Sequence, residues 1–186
     1  MPRLAEPRLT PREESEWDEE SRALLAPNKE QDKVYNIFKT LTRHPKLMKR
    51  WMVFANHILM KSTLPARDRE ILILRIGWLC NCDYEWSQHV EISRRETDLT
   101  DEEIERIKAG PEADGWNERD ATLLRAVDDL HRDAMVSDAH WNKLAEFYDE
   151  QQLMDVVFTV GQYNLVSMAL NSFGVPLDGF LKGFDQ

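Results

Sequence analysis

Ile71-Leu72-Ile73-Leu74-Arg75-Ile76-Gly77-Trp78-Leu79 is the stretch that decides the fold. A run this apolar can be a buried strand or a buried helix, because an element covered on every side shows no periodicity. Its extent separates the two. From Pro65, which suits the first position of a helix, the pattern reaches about Cys80, and no second strand-like segment exists for it to pair with. The stretch therefore predicts a central buried helix.

Working outward, Val34, Ile37, Phe38 and Leu41 recur at helical spacing, and His44-Pro45 opens a helix carrying Leu47, Met48, Trp51, Met52, Phe54, Ile58 and Leu59. On the other side, Asn81 suits the N-cap of a helix from Cys82 to about Thr97. Thr100 and Glu103 resemble a capping box opening a short helix that ends near Gly110-Pro111. Asn117 and Ser137 begin two more helices, and Leu153 to Phe173 makes a long apolar one ended by Gly174 and Pro176. With no clear strand and no internal repeat, the chain reads as an all-α domain of seven or eight helices. Residues 1–27, with four prolines and an acidic stretch from Glu13 to Glu20, read as an N-terminal arm anchored by Trp17, Leu24 and Leu25. That arm has room for one short helix and is expected to lie over the body or over a neighbouring subunit, while residues 28–186 form the helical domain.

Composition narrows the function classes. A chain of 186 residues buries one sizeable core, and 34 acidic against 24 basic side chains leave a charge of −10, which disfavours nucleic acid and anionic membranes as partners. The start lacks the apolar run of a signal peptide, and no uninterrupted apolar stretch is long enough to span a bilayer, so the expected compartment is the cytoplasm. Seven glycines without a phosphate-binding loop argue against a nucleotide-binding enzyme. Cys80 and Cys82 are too close for a structural disulfide and are expected to be reduced. Cys-x-Cys with one histidine lacks a fourth zinc ligand at any usual spacing, so neither a metal nor a cofactor is expected.

Chemistry concentrates in Cys80-Asn81-Cys82-Asp83-Tyr84-Glu85-Trp86-Ser87-Gln88-His89. If the helix starts at Cys82, then Cys82, Glu85 and His89 share one face at i, i+3 and i+7. A thiol in the first helical turn is favoured as thiolate by the amide dipoles, and a carboxylate four residues before a histidine can fix its tautomer. Glu70, at the edge of the apolar run, is a further acid or base if it turns inward, or an ion-pair partner of Arg67 or Arg75. Arg75, Tyr84 and Trp86 are candidates for substrate binding, Arg75 by a bidentate grip on a carboxylate, while such aromatics more often serve as core or subunit-interface residues. Asn164, Ser167 and Asn171 lie on one face of the last helix and either line a pocket or join helices by hydrogen bonds.

These residues carry a resemblance. Leu64-Pro65-Ala66-Arg67-Asp68-Arg69-Glu70, Ile73-Leu74-Arg75 and Asn81 to Val90 resemble the core of the carboxymuconolactone decarboxylase family, which includes the alkylhydroperoxidase D-like proteins. The likeness continues through Leu99 to Ile104, Ala126 to Leu130, Val160 to Asn164 and Asn171 to Asp178, covering roughly residues 34–178. It implies an alkylhydroperoxidase D-like helical bundle assembled as a homotrimer or homohexamer, with the site beside the motif helix and partly closed by a neighbouring subunit. In the peroxidase branch the motif is a glutamate, a Cys-x-x-Cys and a histidine; Glu70, Cys82 and His89 match, but Glu85 stands where the second cysteine would be. Without that thiol the two-cysteine disulfide cycle cannot run in the usual way.

Three functions follow as expectations. The first is acid–base chemistry of lyase or isomerase type on a small carboxylated or lactone-like compound, with Glu70, Cys82, Glu85 and His89 as catalytic residues and His89 moving the proton. The second is a thiol peroxidase using Cys82 alone, its sulfenic acid resolved by an external thiol. The third is a non-catalytic oligomer that binds an apolar ligand or a protein.

Overall fold

The structure, a computed structural model, describes residues 4–30 and 33–185. Met1 to Arg3 of the expected arm, and residues 31, 32 and 186, lie outside the described residues. The helices are α1 (Glu19–Leu25), α2 (Asn36–Leu41), α3 (Pro45–Lys61), α4 (Ala66–Leu79), α5 (Asp83–Glu96), α6 (Asp101–Ala109), α7 (Glu118–Asp133), α8 (Asp138–Leu144) and α9 (Glu150–Phe173). One two-residue antiparallel ladder joins β1 (Lys29–Glu30) to β2 (Lys33–Val34), with Lys29 opposite Val34. The all-α reading holds, with more helices among the described residues than the seven or eight expected. The residues after the arm hold α2 to α9, and the further helix is α1, the short one for which the arm had room.

Every residue of α4 from Asp68 to Gly77 is buried, and α5, α7 and α9 pack against it. The apolar run is thus a helix enclosed by helices, which is why it lacks a polar face. Its charged residues are used as ties. Asp68 is held by Arg119 and accepts from the Tyr148 hydroxyl at 2.8 Å. Arg67 donates to Glu103 at 2.6 Å and to Asp120 at 2.7 Å, joining α4 to α6 and α7.

Helix starts follow the sequence signals in most places. His44 caps α3 with Pro45 in the first turn, Thr100 and Glu103 close a capping box on α6, and Asn117 and Ser137 accept from the Asp120 and His140 amides. Asp149 closes another box on α9, whose far end turns through Gly174 at φ 68°.

Asn81 is a correction. It does not cap α5; its φ of 50° places it in the left-handed region, and Cys82 takes the N-cap position. The Asn81 amide donates to the Trp78 carbonyl and the Cys82 amide to the Gly77 carbonyl, both at 2.9 Å, so Asn81 closes a Schellman turn at the end of α4. Asparagine suits both positions, and only the chain path distinguishes them.

By length and composition α9 could cross a membrane: it has 24 residues and a window of mean hydropathy 1.3, half of it buried within the fold. Gln162, Asn164 and Asn171 interrupt its apolar residues, so no uninterrupted run marks it in the sequence. Residues 4–27 lie over the body. Amides of Arg8 and Leu9 donate to the Phe173 carbonyl, and Arg43 reaches Thr10 from the body. Trp17 and Leu25 are buried with Val34 and Met48 in a small second apolar cluster.

Candidate active site

Glu70 of α4 meets Glu85 and His89 of α5 between the two helices. Gly77 faces α5, where a Cβ would stand only 3.5 Å from the Trp86 backbone nitrogen and 3.7 Å from Glu85 Cγ, so the helices approach closely at this level. His89 Nδ1–H donates to Glu70 Oε2 at 2.6 Å, and on the other side of the ring Nε2 stands 3.1 Å from Glu85 Oε1. A carboxylate facing each ring nitrogen favours the imidazolium form of His89. Burial alone would push the imidazole down; Glu70 first, and Glu85 after it, outweigh that and raise its pKa to about 10. Glu70, Glu85 and His89 are 0%, 4% and 4% exposed. Arg69 Nε donates to the second oxygen of Glu70 at 3.1 Å and its guanidinium lies 3.6 Å from Glu96. Glu70 therefore pairs with Arg69 and His89, and with neither Arg67 nor Arg75.

Glu85 and His89 belong to the wall of a cavity of about 410 Å³ bounded by α2, α3, α5 and α9. Glu70 does not line it and supports His89 from the α4 side. Most of the wall is apolar or aromatic, including Phe38, Trp51, Leu59 and Ile92, and Gln162 and Tyr163 of α9 complete it. The Tyr163 ring meets the imidazole edge-on, 4.8 Å between centroids. None of these six residues was among the candidates from sequence. The available signal was Gln162-Tyr163, a polar pair inside an apolar helix.

The other predicted residues separate. Tyr84 lines the cavity, its hydroxyl donating to Asp178 Oδ2 at 2.5 Å and accepting from the Ile37 amide at 3.2 Å. Cys82 is a correction: it is 1% exposed, clusters with Tyr84, Val166 and Leu170, and does not line the cavity. Burial, then the Glu85 carboxylate, push its thiol up to about 12, so desolvation outweighs the helix dipole and favours the neutral thiol. Cys80, pushed up to about 11 by burial, donates to Asn164 Oδ1 at 3.0 Å, while Asn171 donates to the Cys80 carbonyl at 2.9 Å. Asn164 and Asn171 thus join α9 to the Schellman turn rather than line the cavity.

Arg75 and Trp86 are also corrections. Arg75 forks onto Asp128 at 2.7 and 3.0 Å and donates to the Ile107 and Lys108 carbonyls, closing the end of α6, so it is not available to a substrate in the cavity. Trp86 is fully buried, edge-to-face with Trp78 at 5.6 Å, away from the cavity. The two carboxylates engage opposite nitrogens of His89 and so do not converge on a point. Among the described residues no group of three His, Cys, Asp or Glu is arranged to hold a metal ion.

The fold has known counterparts. A peroxidase-related protein with an alkylhydroperoxidase AhpD core from Ralstonia eutropha JMP134 superposes with a TM-score of 0.79 at 17% identity, covering 94% of this chain and 95% of that one. A putative antioxidant defence protein AhpD from Agrobacterium tumefaciens gives 0.69 at 20% identity over 74% and 94% of the two chains. The debrominase Bmp8 gives 0.72 at 15% identity over 92% of each chain. No curated protein matches the chain. Residues 45–129, which hold the whole Glu70, Glu85 and His89 arrangement, match the model of the carboxymuconolactone decarboxylase family. That match spans a little under half of the chain, and the chain as a whole has the alkylhydroperoxidase D-like fold.

Proposed function

We propose that the chain is an acid–base enzyme that moves a proton on a small, mainly apolar molecule, as a lyase or isomerase acting beside a carbonyl would. The observation that carries this is the imidazolium of His89, bonded by carboxylates at both nitrogens in the wall of the 410 Å³ cavity. Glu85 faces the ligand and accepts the proton of a C–H made acidic by the carbonyl. His89 stays charged beside it and balances the negative charge that develops on the substrate. Glu70 fixes the ring from behind. Roles thus differ from the sequence expectation, in which His89 moved the proton and Glu85 oriented it.

The test is deuterium exchange at acidic C–H positions in a panel of lactones, ketones and keto acids, followed by NMR. Wild-type protein should exchange at least one class, and Glu85→Gln and His89→Ala should each abolish it. Unchanged exchange in both variants overturns the proposal.

The thiol-peroxidase alternative has the support of relatives named as peroxidase-related, and against it stands a buried, protonated Cys82 outside the cavity. Peroxide consumption lost in Cys82→Ser would restore it. A homo-oligomer is part of the proposal, supported by the exposed row Met154, Phe158, Leu165 and Met168 along α9, with Phe54 of α3 against Phe158. Such a row is costly to leave in water and suits a second copy.

A further inference from the structure

We propose that the cavity takes an uncharged aromatic ring compound bearing a hydroxyl or carbonyl group, and discriminates against the carboxylate of the same shape. This rests on the acid–base reading for its chemistry and on separate observations for its binding. The charges around the cavity are balanced and mutually occupied. Glu70, Glu85 and Glu96 face three cations, Arg69, His89 and Arg95, with His89 held at both nitrogens, Arg69 held by Glu70 and Glu96, and Arg95 donating to Glu96 at 3.0 Å. Arg75, the cation expected to grip a carboxylate, is bound to Asp128 elsewhere. An anion entering would lose its hydration, lie against Glu85 and find no cation released to receive it. A neutral molecule pays no such penalty.

The wall also carries hydrogen-bonding groups with no use inside the protein. Gln162 is 4% exposed and lines the cavity, and its side-chain amide bonds to no described residue. The Tyr163 hydroxyl, on a residue 7% exposed, is in the same condition. Trp51, another wall residue, has a buried indole N–H without an acceptor. The Trp51 N–H left unbonded costs stability, and a ligand that both donates and accepts would engage it together with the Gln162 amide and the Tyr163 hydroxyl. Phe38, Trp51, Tyr84 and Tyr163 supply aromatic surface for a ring, and a space of about 410 Å³ holds one or two rings.

The test is calorimetric titration of the full chain at pH 6.5 with 4-hydroxyacetophenone and with 4-hydroxybenzoate, which share ring and size and differ in charge. The ketone should bind at least about tenfold more tightly than the carboxylate, a difference of about 1.4 kcal/mol. Gln162→Leu should weaken the ketone about threefold to tenfold with an unchanged circular-dichroism spectrum, and Tyr163→Phe provides the same comparison should the first variant not fold. Equal or tighter carboxylate binding, no binding of either probe, or full affinity in both variants would overturn the inference. Preferential ketone binding without deuterium exchange would leave it standing and count instead against the acid–base function.

Discussion

The Glu70 carboxylate lies 2.6 Å from Nδ1 of His89, although the residues are 19 positions apart on different helices. This contact turns a histidine on a helix into a fixed cation. Its loss should be felt twice. Glu70→Gln keeps the shape but removes the charge, so the variant should unfold about 3–5 kcal/mol more easily in urea, as when one partner of a buried pair is removed. Deuterium exchange, if Glu85 and His89 carry it, should fall by about 10²-fold. Unchanged urea midpoint and exchange rate would show that the contact does neither job.

The protonated ring gives stability a pH signature. The His89 pKa rises from its ordinary 6.5 to about 10 on folding, so the folded chain keeps a proton the unfolded chain releases. The resulting stabilisation is complete below pH 6.5 and declines as pH rises through about 10. Urea unfolding of wild type and His89→Asn at pH 6, 8 and 10 should show the gap between them shrinking steadily. A gap that widens with pH would contradict the assignment.

Cysteine reactivity tests the cavity wall. With Cys80 pushed up to about 11 and Cys82 to about 12, both thiols should react with iodoacetamide at pH 8 far more slowly than free cysteine, and at full rate in denaturant. Cys82→Ser should reduce proton exchange by much less than the ~10²-fold cost of losing a proton-transfer group. Rapid native-state labelling of Cys82 would place its sulfur in the open.

The turn at Asn81 makes a prediction of opposite order to the one its sequence suggests. At an N-cap serine equals asparagine and glycine is slightly worse. At a left-handed C′ position glycine is best and serine is strained. Asn81→Gly should therefore match or exceed wild-type stability, and Asn81→Ser should lose about 1 kcal/mol in thermal or urea unfolding. The reverse ranking would return Asn81 to the cap.

Local chemistry was legible in the residues themselves. Pro45, Thr100 with Glu103, Asn117, Ser137 and Gly174 mark helix ends because their side chains, or the lack of one, act within a single turn, and the reach of the run after Pro65 made α4 a helix. Glu85 and His89 were readable for the same reason, four residues apart on one face. What lay out of reach depends on distance through space. That Glu70 turns to His89 and away from Arg67, that Arg75 is consumed by Asp128 and that Cys82 is sealed from the cavity are decided by how α4 packs on α5, α6, α7 and α9. Periodicity states which face of a helix is buried, not which neighbour buries it. The cavity itself, with Gln162 and Tyr163 turned toward its interior, comes from four helices failing to close completely, and only the packed chain determines where they leave that space.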